Sequence, residues 1–431
     1  MQALNVITTA VDPSNINLSE PEKELLRWHQ RLGHLDFRKI QFLMRTGVLS
    51  LSQSKRSLHS RAAKLVHPPK CAACQFGKQT ARGTKSKPTN TAVVADRTPV
   101  LKQDKLFPGQ TVSVDHFVST TKGVTLSSRG GANAEGYSGG CIMVDNASKY
   151  IHVECQKHLN THETLEAIRK FETMALDHGD VPTQYMSDSG SAFTSKQFQE
   201  HLAEYKQIVN FAGTSAHHHN AIAERGIRTI MSIARTMMLH AATHWPDMAD
   251  PTLWPMAVEY AAHLYNRVPD PETGLSPLDV FSGIRQPLRR LHDLHVWGCP
   301  SYLLNKRIAD GKKLPQFQPK SERVIFVGIA DKHFAGTPRV LNPRTRTVTT
   351  PYHVVFDDCL PPFAAPFKTC LTSTPQNGTR CLVTLSFSMW KMMPTHKPHH
   401  SHQSNTNDCF TEGSQLQLVS PASTGQLPTR S

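Results

Sequence analysis

Asp115, Asp188 and Glu224 are the residues whose types and spacing most directly allow chemistry. Asp115 interrupts an alternating apolar run, Thr111-Val-Ser-Val-Asp-His-Phe-Val118, that reads as a strand. Asp188 follows a second strand-like piece and opens the turn-rich stretch Ser187-Asp-Ser-Gly-Ser-Ala-Phe193. Glu224 comes after 35 intervening residues, in the first turn of a long helix beginning near Asn220. Strand ends and a helix start can bring carboxylates to one point, and a hard divalent cation takes such oxygen ligands. Two such cations can polarise a phosphodiester, activate a nucleophile and neutralise the leaving oxygen. These residues therefore predict a phosphoryl-transfer enzyme acting on nucleic acid.

The helix that must carry Glu224 is two-faced. At 100° per residue, Ile227, Ile230, Met231, Ile233, Ala234, Met237 and Met238 share one face. Glu224, Arg225, Arg228, Ser232 and Arg235 share the other, with Glu224, Arg228 and Arg235 nearly in line. A carboxylate there gains from the helix dipole, and Arg225, Arg228 and Arg235 could follow a DNA backbone. A solvated face with i,i+4 ion pairs is the plainer account of the same stripe.

A second constellation is Trp28-His-Gln-Arg-Leu-Gly-His34 followed by Cys71-Ala-Ala-Cys74. His29 and His34 are expected to face one side of a helix, and Cys71 and Cys74 have zinc-knuckle spacing. Four N/S ligands close a tetrahedral Zn²⁺ site, which makes the metal structural. With 24 histidines in the chain, a chance pair is the competing account. A module this small depends on its metal, so chelation is expected to unfold it while the core survives.

The charge agrees with a polyanionic partner. The net charge is +14, and it is concentrated. Residues 37–105 hold 15 Lys/Arg against two Asp/Glu, and residues 285–346 hold 13 against four. Such blocks raise the local concentration of nucleic acid, although basic surfaces also simply keep proteins soluble. Nine cysteines are too few for a disulfide scaffold and fit a reducing, intracellular setting. No signal segment and no apolar run long enough to span a bilayer is present, so no membrane partner is expected.

The contexts Val114-Asp115-His116, Ser187-Asp-Ser-Gly190 and Asn220-Ala-Ile-Ala-Glu-Arg225 resemble the catalytic core of retroviral-type integrases. Downstream, Leu253-Trp-Pro-Met-Ala-Val-Glu-Tyr-Ala-Ala262, Asn266-Arg-Val-Pro269, Val296-Trp-Gly-Cys-Pro300 and Val354-Val-Phe-Asp-Asp358 resemble the integrase region of copia-type LTR retrotransposon polyproteins. The likeness runs from about Leu25 to Asp358 with its motifs in order. The His29, His34, Cys71, Cys74 set resembles the HHCC pre-integrase domain of the same elements.

The resemblance implies an α/β fold with a ribonuclease-H-like core, a mixed five-stranded sheet flanked by helices. A small helical zinc-binding domain would precede it and a small β module follow it. It further implies two Mg²⁺ or Mn²⁺ ions on Asp115, Asp188 and Glu224, and insertion of element DNA into host DNA. A homo-multimer and a nuclear site of action follow from that reaction. The alternative is a decayed or domesticated copy that binds nucleic acid without catalysis. A zinc-finger transcription factor is disfavoured, because His-His precedes Cys-Cys here. Two positions depart from the family pattern. Ala221 stands where glycine is usual, and Ser189 where asparagine is common. Ala221 would strain the turn if that backbone has positive φ, and would favour the helix if it is the first helical residue.

The expected organisation is a polar linker (1–20), the zinc domain (21–87), a connector (88–107), the core (108–275), a basic β module (276–358) and an unfolded tail (359–431). Protease and reverse-transcriptase signatures are missing, so a polyprotein fragment or truncated copy is expected. Asp145 reads as turn chemistry rather than a metal ligand, and His116 as a packed side chain. His217, His218 and His219 read as a solvated loop. Trp254, Trp297 and Trp390 show no basic interleaving that would suggest base stacking.

Overall fold

Local capping signals start most of the helices. The computed structural model describes residues 17–50, 52–80, 107–125, 135–178, 181–212, 220–246, 249–330 and 336–358. Most of the linker and connector, His217–His219 and the 359–431 tail lie outside them. Ser19 and Glu22 form a capping box that opens α1 (Glu20–Arg31), with Pro21 in its first turn. Asp36 caps α2 (Phe37–Arg45) by accepting from the Arg38 N–H at 2.8 Å. Ser52 caps α3 (Gln53–Ala62), and Cys71 itself stands at the start of α4 (Ala72–Gly77).

The core follows as β1 (Thr111–Gly123), β2 (Tyr137–Asp145), β3 (Ile151–Gln156), α5 (Thr161–Asp177), β4 (Gln184–Ser187), α6 (Lys196–Glu204), β5 (Ile208–Phe211), α7 (Ala221–His244), α8 (Trp254–Tyr265) and α9 (Pro277–Ser282). Its sheet has the order β3-β2-β1-β4-β5. The first three strands are antiparallel, and β4 and β5 join β1 in parallel. Alternation along β1 divides the interior. Val112 and Val114 sit with Cys141, Met143, Ile168 and Phe171 under α5 and α6. Phe117 sits with Ile142, Val144 and Ile230 under α7 and α8. Asp115 has the parity of Phe117, so it lies on the α7 face. This mixed sheet covered by helices on both faces is the expected ribonuclease-H-like α/β core.

A second, wholly antiparallel sheet has the order β10-β6-β7-β8-β9. It comprises β6 (Pro300–Leu304), β7 (Ser321–Ile329), β8 (Pro338–Asn342), β9 (Thr347–Thr349) and β10 (Val354–Phe356). It docks on α8, where Tyr260 meets Phe326 edge-on and Arg339 pairs with Glu259 at 2.6 Å.

Candidate active site and metal centre

Parallel pairing aligns the two aspartates. β1 and β4 run in register at Thr111/Gln184, Val112/Tyr185 and Ser113/Met186. Carried two residues further, this register sets Asp188, just past the end of β4, abreast of Asp115 on β1. Glu224 occupies the first turn of α7, and that helix end is tied to the same strand. The Asn220 amide donates to the Val114 carbonyl at 3.1 Å, one residue before Asp115. The Gly226 backbone then sits close on the sheet, since a Cβ there would approach Val144 Cγ2 to 2.8 Å. Ala221 is the first residue of α7 and has no positive φ, so the alanine sits where a helix former is favoured.

Electrostatics link all three carboxylates. Asp115 is pushed up to about 7, first by burial and then by the negative charges of Asp188 and Glu224. Each aspartate leans on nearby backbone. Asp115 accepts from the His116 N–H at 2.8 Å, and Asp188 from the Gly190 N–H at 3.2 Å. The carboxylates do not draw as close as the His/Cys quartet. Among the described residues, only that quartet gathers three or more ligand atoms tightly enough to hold one ion. His116 points to the other face, stacks on Phe193 and meets Thr164 Oγ1 at 2.9 Å; burial holds it down to about 4. Asp145 is fully buried and accepts from the Gly109 and Ser148 N–H groups, which is turn chemistry.

The expected DNA stripe is only partly open. Arg225 and Arg228 are exposed, and Arg235 is half-buried. One turn beyond, Thr236 and His240 are buried although they carry polar side chains. The cause is α4, which lies across α7 there. A Cβ on Gly77 would come within 2.5 Å of Thr236 Oγ1 and 3.1 Å of its Cα. Gly77→Ala is therefore expected to destabilise the protein by about 1–3 kcal/mol, because overpacking outweighs a helix-propensity gain of about 1 kcal/mol. An unchanged or raised melting temperature would mean that α4 does not seat on α7 this way.

The quartet is built on a helix end rather than on a helix face. α1 stops at Arg31, so His34 lies outside it, contrary to the expectation that both imidazoles share a helical side. The His34 N–H bonds the His29 carbonyl at 2.7 Å and the Gly33 N–H bonds the Gln30 carbonyl at 3.3 Å, a Schellman reversal. Gly33 and His34 both have positive φ, at 64° and 61°. That reversal stacks the residue three back from the helix end beneath the one two past it, and here both are histidines. A Cβ on Gly33 would also strike Leu264 at 2.7 Å, so conformation and space both require glycine.

The four ligand atoms lie within 4.8 Å of one another. His34 Nδ1 is 3.2 Å from His29 Nε2 and 3.4 Å from Cys71 Sγ, and Cys74 Sγ is 3.2 Å from His29 Nε2. Donors at ~2.0–2.3 Å around a tetrahedral ion stand at such separations. His29 Nδ1 bonds the Leu35 carbonyl at 2.7 Å, which leaves Nε2 with its lone pair. Burial holds His34 down to about 4, in the neutral form that ligates. The hydrogen bond from Cys74 holds the Cys71 thiol well below its usual value and raises Cys74 in turn.

The zinc-type module is not a separate globule. Leu25 and Trp28 of α1, with Leu32 just past its end, join one buried cluster with Met237 of α7, Leu264 of α8 and Phe326 of the second sheet. Arg31 donates to the carbonyls of His292 and Leu294 and pairs with Asp358 at 3.5 Å. This packing replaces the expectation that the module unfolds alone.

Residues 4–79 match the GAG-pre-integrase domain. The retrovirus-related Pol polyprotein from transposon TNT 1-94 of Nicotiana tabacum is 24% identical over 345 residues, 79% of this chain and 22% of that one. The corresponding polyprotein from transposon RE2 of Arabidopsis thaliana is 30% identical over 182 residues, 41% of this chain and 11% of that one. The chain thus spans about a fifth or less of these relatives' length. The HTLV-2 integrase catalytic core domain, solved in a trimeric form with magnesium, covers 41% of this chain and 98% of its own, at 19% identity and a TM-score of 0.30. The chain carries a GAG-pre-integrase domain and is homologous to LTR-retrotransposon Pol polyproteins along most of its length.

Proposed function

We propose that this chain is a retrotransposon integrase, a polynucleotidyl transferase that joins element DNA ends to host DNA in the nucleus as a homo-multimer. The observation that carries the reading is the trio Asp115, Asp188 and Glu224, with Asp115 lifted to about 7 by burial and its two acidic neighbours. A half-buried site with surplus negative charge suits a hard cation. Asp115, Asp188 and Glu224 would hold Mg²⁺ or Mn²⁺, supplying Lewis-acid activation of a phosphodiester and of an attacking 3′-hydroxyl. Adjacent strands fix the two aspartates, and the helix end delivers Glu224 where peptide dipoles favour a negative charge. Arg225 and Arg228 reach solvent beside it and can hold phosphates in line, with Arg235 a lesser contributor. His29, His34, Cys71 and Cys74 would hold a structural Zn²⁺, since the protein fills all four positions.

Purified full-length protein should join labelled DNA ends to a target duplex only with Mg²⁺ or Mn²⁺. Glu224→Gln keeps the shape and removes a ligand charge. It should lose ~10²–10³-fold or more of that activity, as when one electrostatic stabiliser is deleted, while DNA affinity stays within about twofold. Equal joining by both proteins rejects the catalytic assignment. Binding without joining by the wild type establishes the decayed-copy alternative.

A further inference from the structure

A cleft of about 360 Å³ opens between the end of α2 and α3, away from the metal quartet. Its floor is apolar, made by Met44 and Ala63, both buried. Its walls carry Arg45, Arg56 and Lys64, with the hydroxyl of Ser60 between them, and no carboxylate lines it. Arg56 and Ser60 lie four residues apart on α3, about one turn, and Lys64 follows just past the end of that helix. Arg45 faces them from the end of α2. All three cations are exposed, and no ion pair to Asp or Glu is found for them among the described residues. The neighbouring Lys55 marks the contrast. It turns the other way, to Glu24 at 3.4 Å, where Arg27 and His59 also converge. One side of α3 is thus charge-balanced, and the other is left positive around a concave surface.

We infer that this cleft seats backbone phosphates of duplex DNA. Two guanidinium forks and an ammonium around one recess suit phosphate oxygens better than a single carboxylate, and three cations spread along its walls suit a strand of phosphates better than one ion. The inference rests on DNA being the substrate proposed above, and it adds a contact site on the metal-binding module, distinct from Arg225, Arg228 and Arg235.

The test is anisotropy of full-length protein with labelled duplex, titrated across salt. Arg45→Gln and Arg56→Gln should each weaken binding and lower the slope of log K against log salt by ~0.9, and the double variant by about twice that. Arg61→Gln, elsewhere on α3, is the control and should leave the slope within error. Arg56→Lys should keep the slope, which separates charge from loss of fold; melting temperatures of all variants should match the wild type. Equal slopes for Arg61→Gln and the cleft variants overturn the inference, because they reduce the effect to overall charge. So does full displacement of duplex from the cleft by inorganic phosphate at constant ionic strength, which would make it a small-anion site. Strand joining by Glu224→Gln is scored separately, so failure of the catalytic reading leaves the salt slopes to decide this one.

Discussion

Removing the Zn²⁺ proposed at His29, His34, Cys71 and Cys74 is expected to lower the melting temperature of the whole described body in one transition. Metal binding to a buried Cys₂His₂ set contributes on the order of 10 kcal/mol in small zinc modules. Entire domains are stable by only ~5–15 kcal/mol. The module's core is continuous with α7 and α8, so its loss uncovers Met237, Thr236 and Leu264 together. Chelator or Cys71→Ser should therefore raise hydrogen exchange in the middle of α7, about 18 Å along the helix from Glu224. Strand joining should fall with it. Loss of protection confined to α1–α4, with α7 unchanged, would return the module to the status of an independent unit.

The second large effect concerns Asp115. Its folded pKa lies at about 7 against a reference of 3.8. A raised acid binds protons more tightly in the folded state. Its stabilising contribution is then complete below about 3.8 and is lost as pH rises through about 7. Without divalent ions, stability should fall across that window by on the order of 4 kcal/mol from this group. Mg²⁺ competes with the proton, so it should raise the melting temperature more at pH 8 than at pH 5. Asp115→Asn should flatten the pH profile and raise the ion-free melting temperature above pH 7, at the expense of activity. A variant profile parallel to the wild type over this range would reject the assigned electrostatics.

How far the sequence discloses this arrangement differs from element to element. α5 begins and ends where its apolar spacing and Asn160 place it. The β1, β2, β3 and β4 pieces were also visible as alternating or buried apolar runs. α3 was not, because its only large apolar side chain is Leu58 and no stripe announces it. β5 escaped for the opposite reason: it is an edge strand with Ile208 and Phe211 exposed, so burial leaves no pattern in it. Within the expected β module, residues 347–356 hold two short strands, β9 and β10. Around the quartet, residue types and spacing were legible, while the route that joins them was not. Helical periodicity cannot show a chain reversal at Gly33 and His34, which depends on two positive φ angles. Nor can it show that Thr236 and His240 are covered, since polar residues on a helix read as solvent-facing until another element lies over them.

The ion pair between Arg31 and Asp358 spans nearly the whole described chain, and that has a kinetic meaning. A ribosome adds ~5–20 residues per second, so α1 waits many seconds for its last partner to emerge. During that interval the surface of α1 that meets His292, Leu294 and Asp358 has nothing to cover it. Chains halted before the second sheet should consequently aggregate or recruit chaperones even with the metal quartet filled. The aspartate pair, whose strands meet across 73 positions of sequence, carries the same delay in smaller measure. Competence of the fold would therefore be acquired late and nearly all at once.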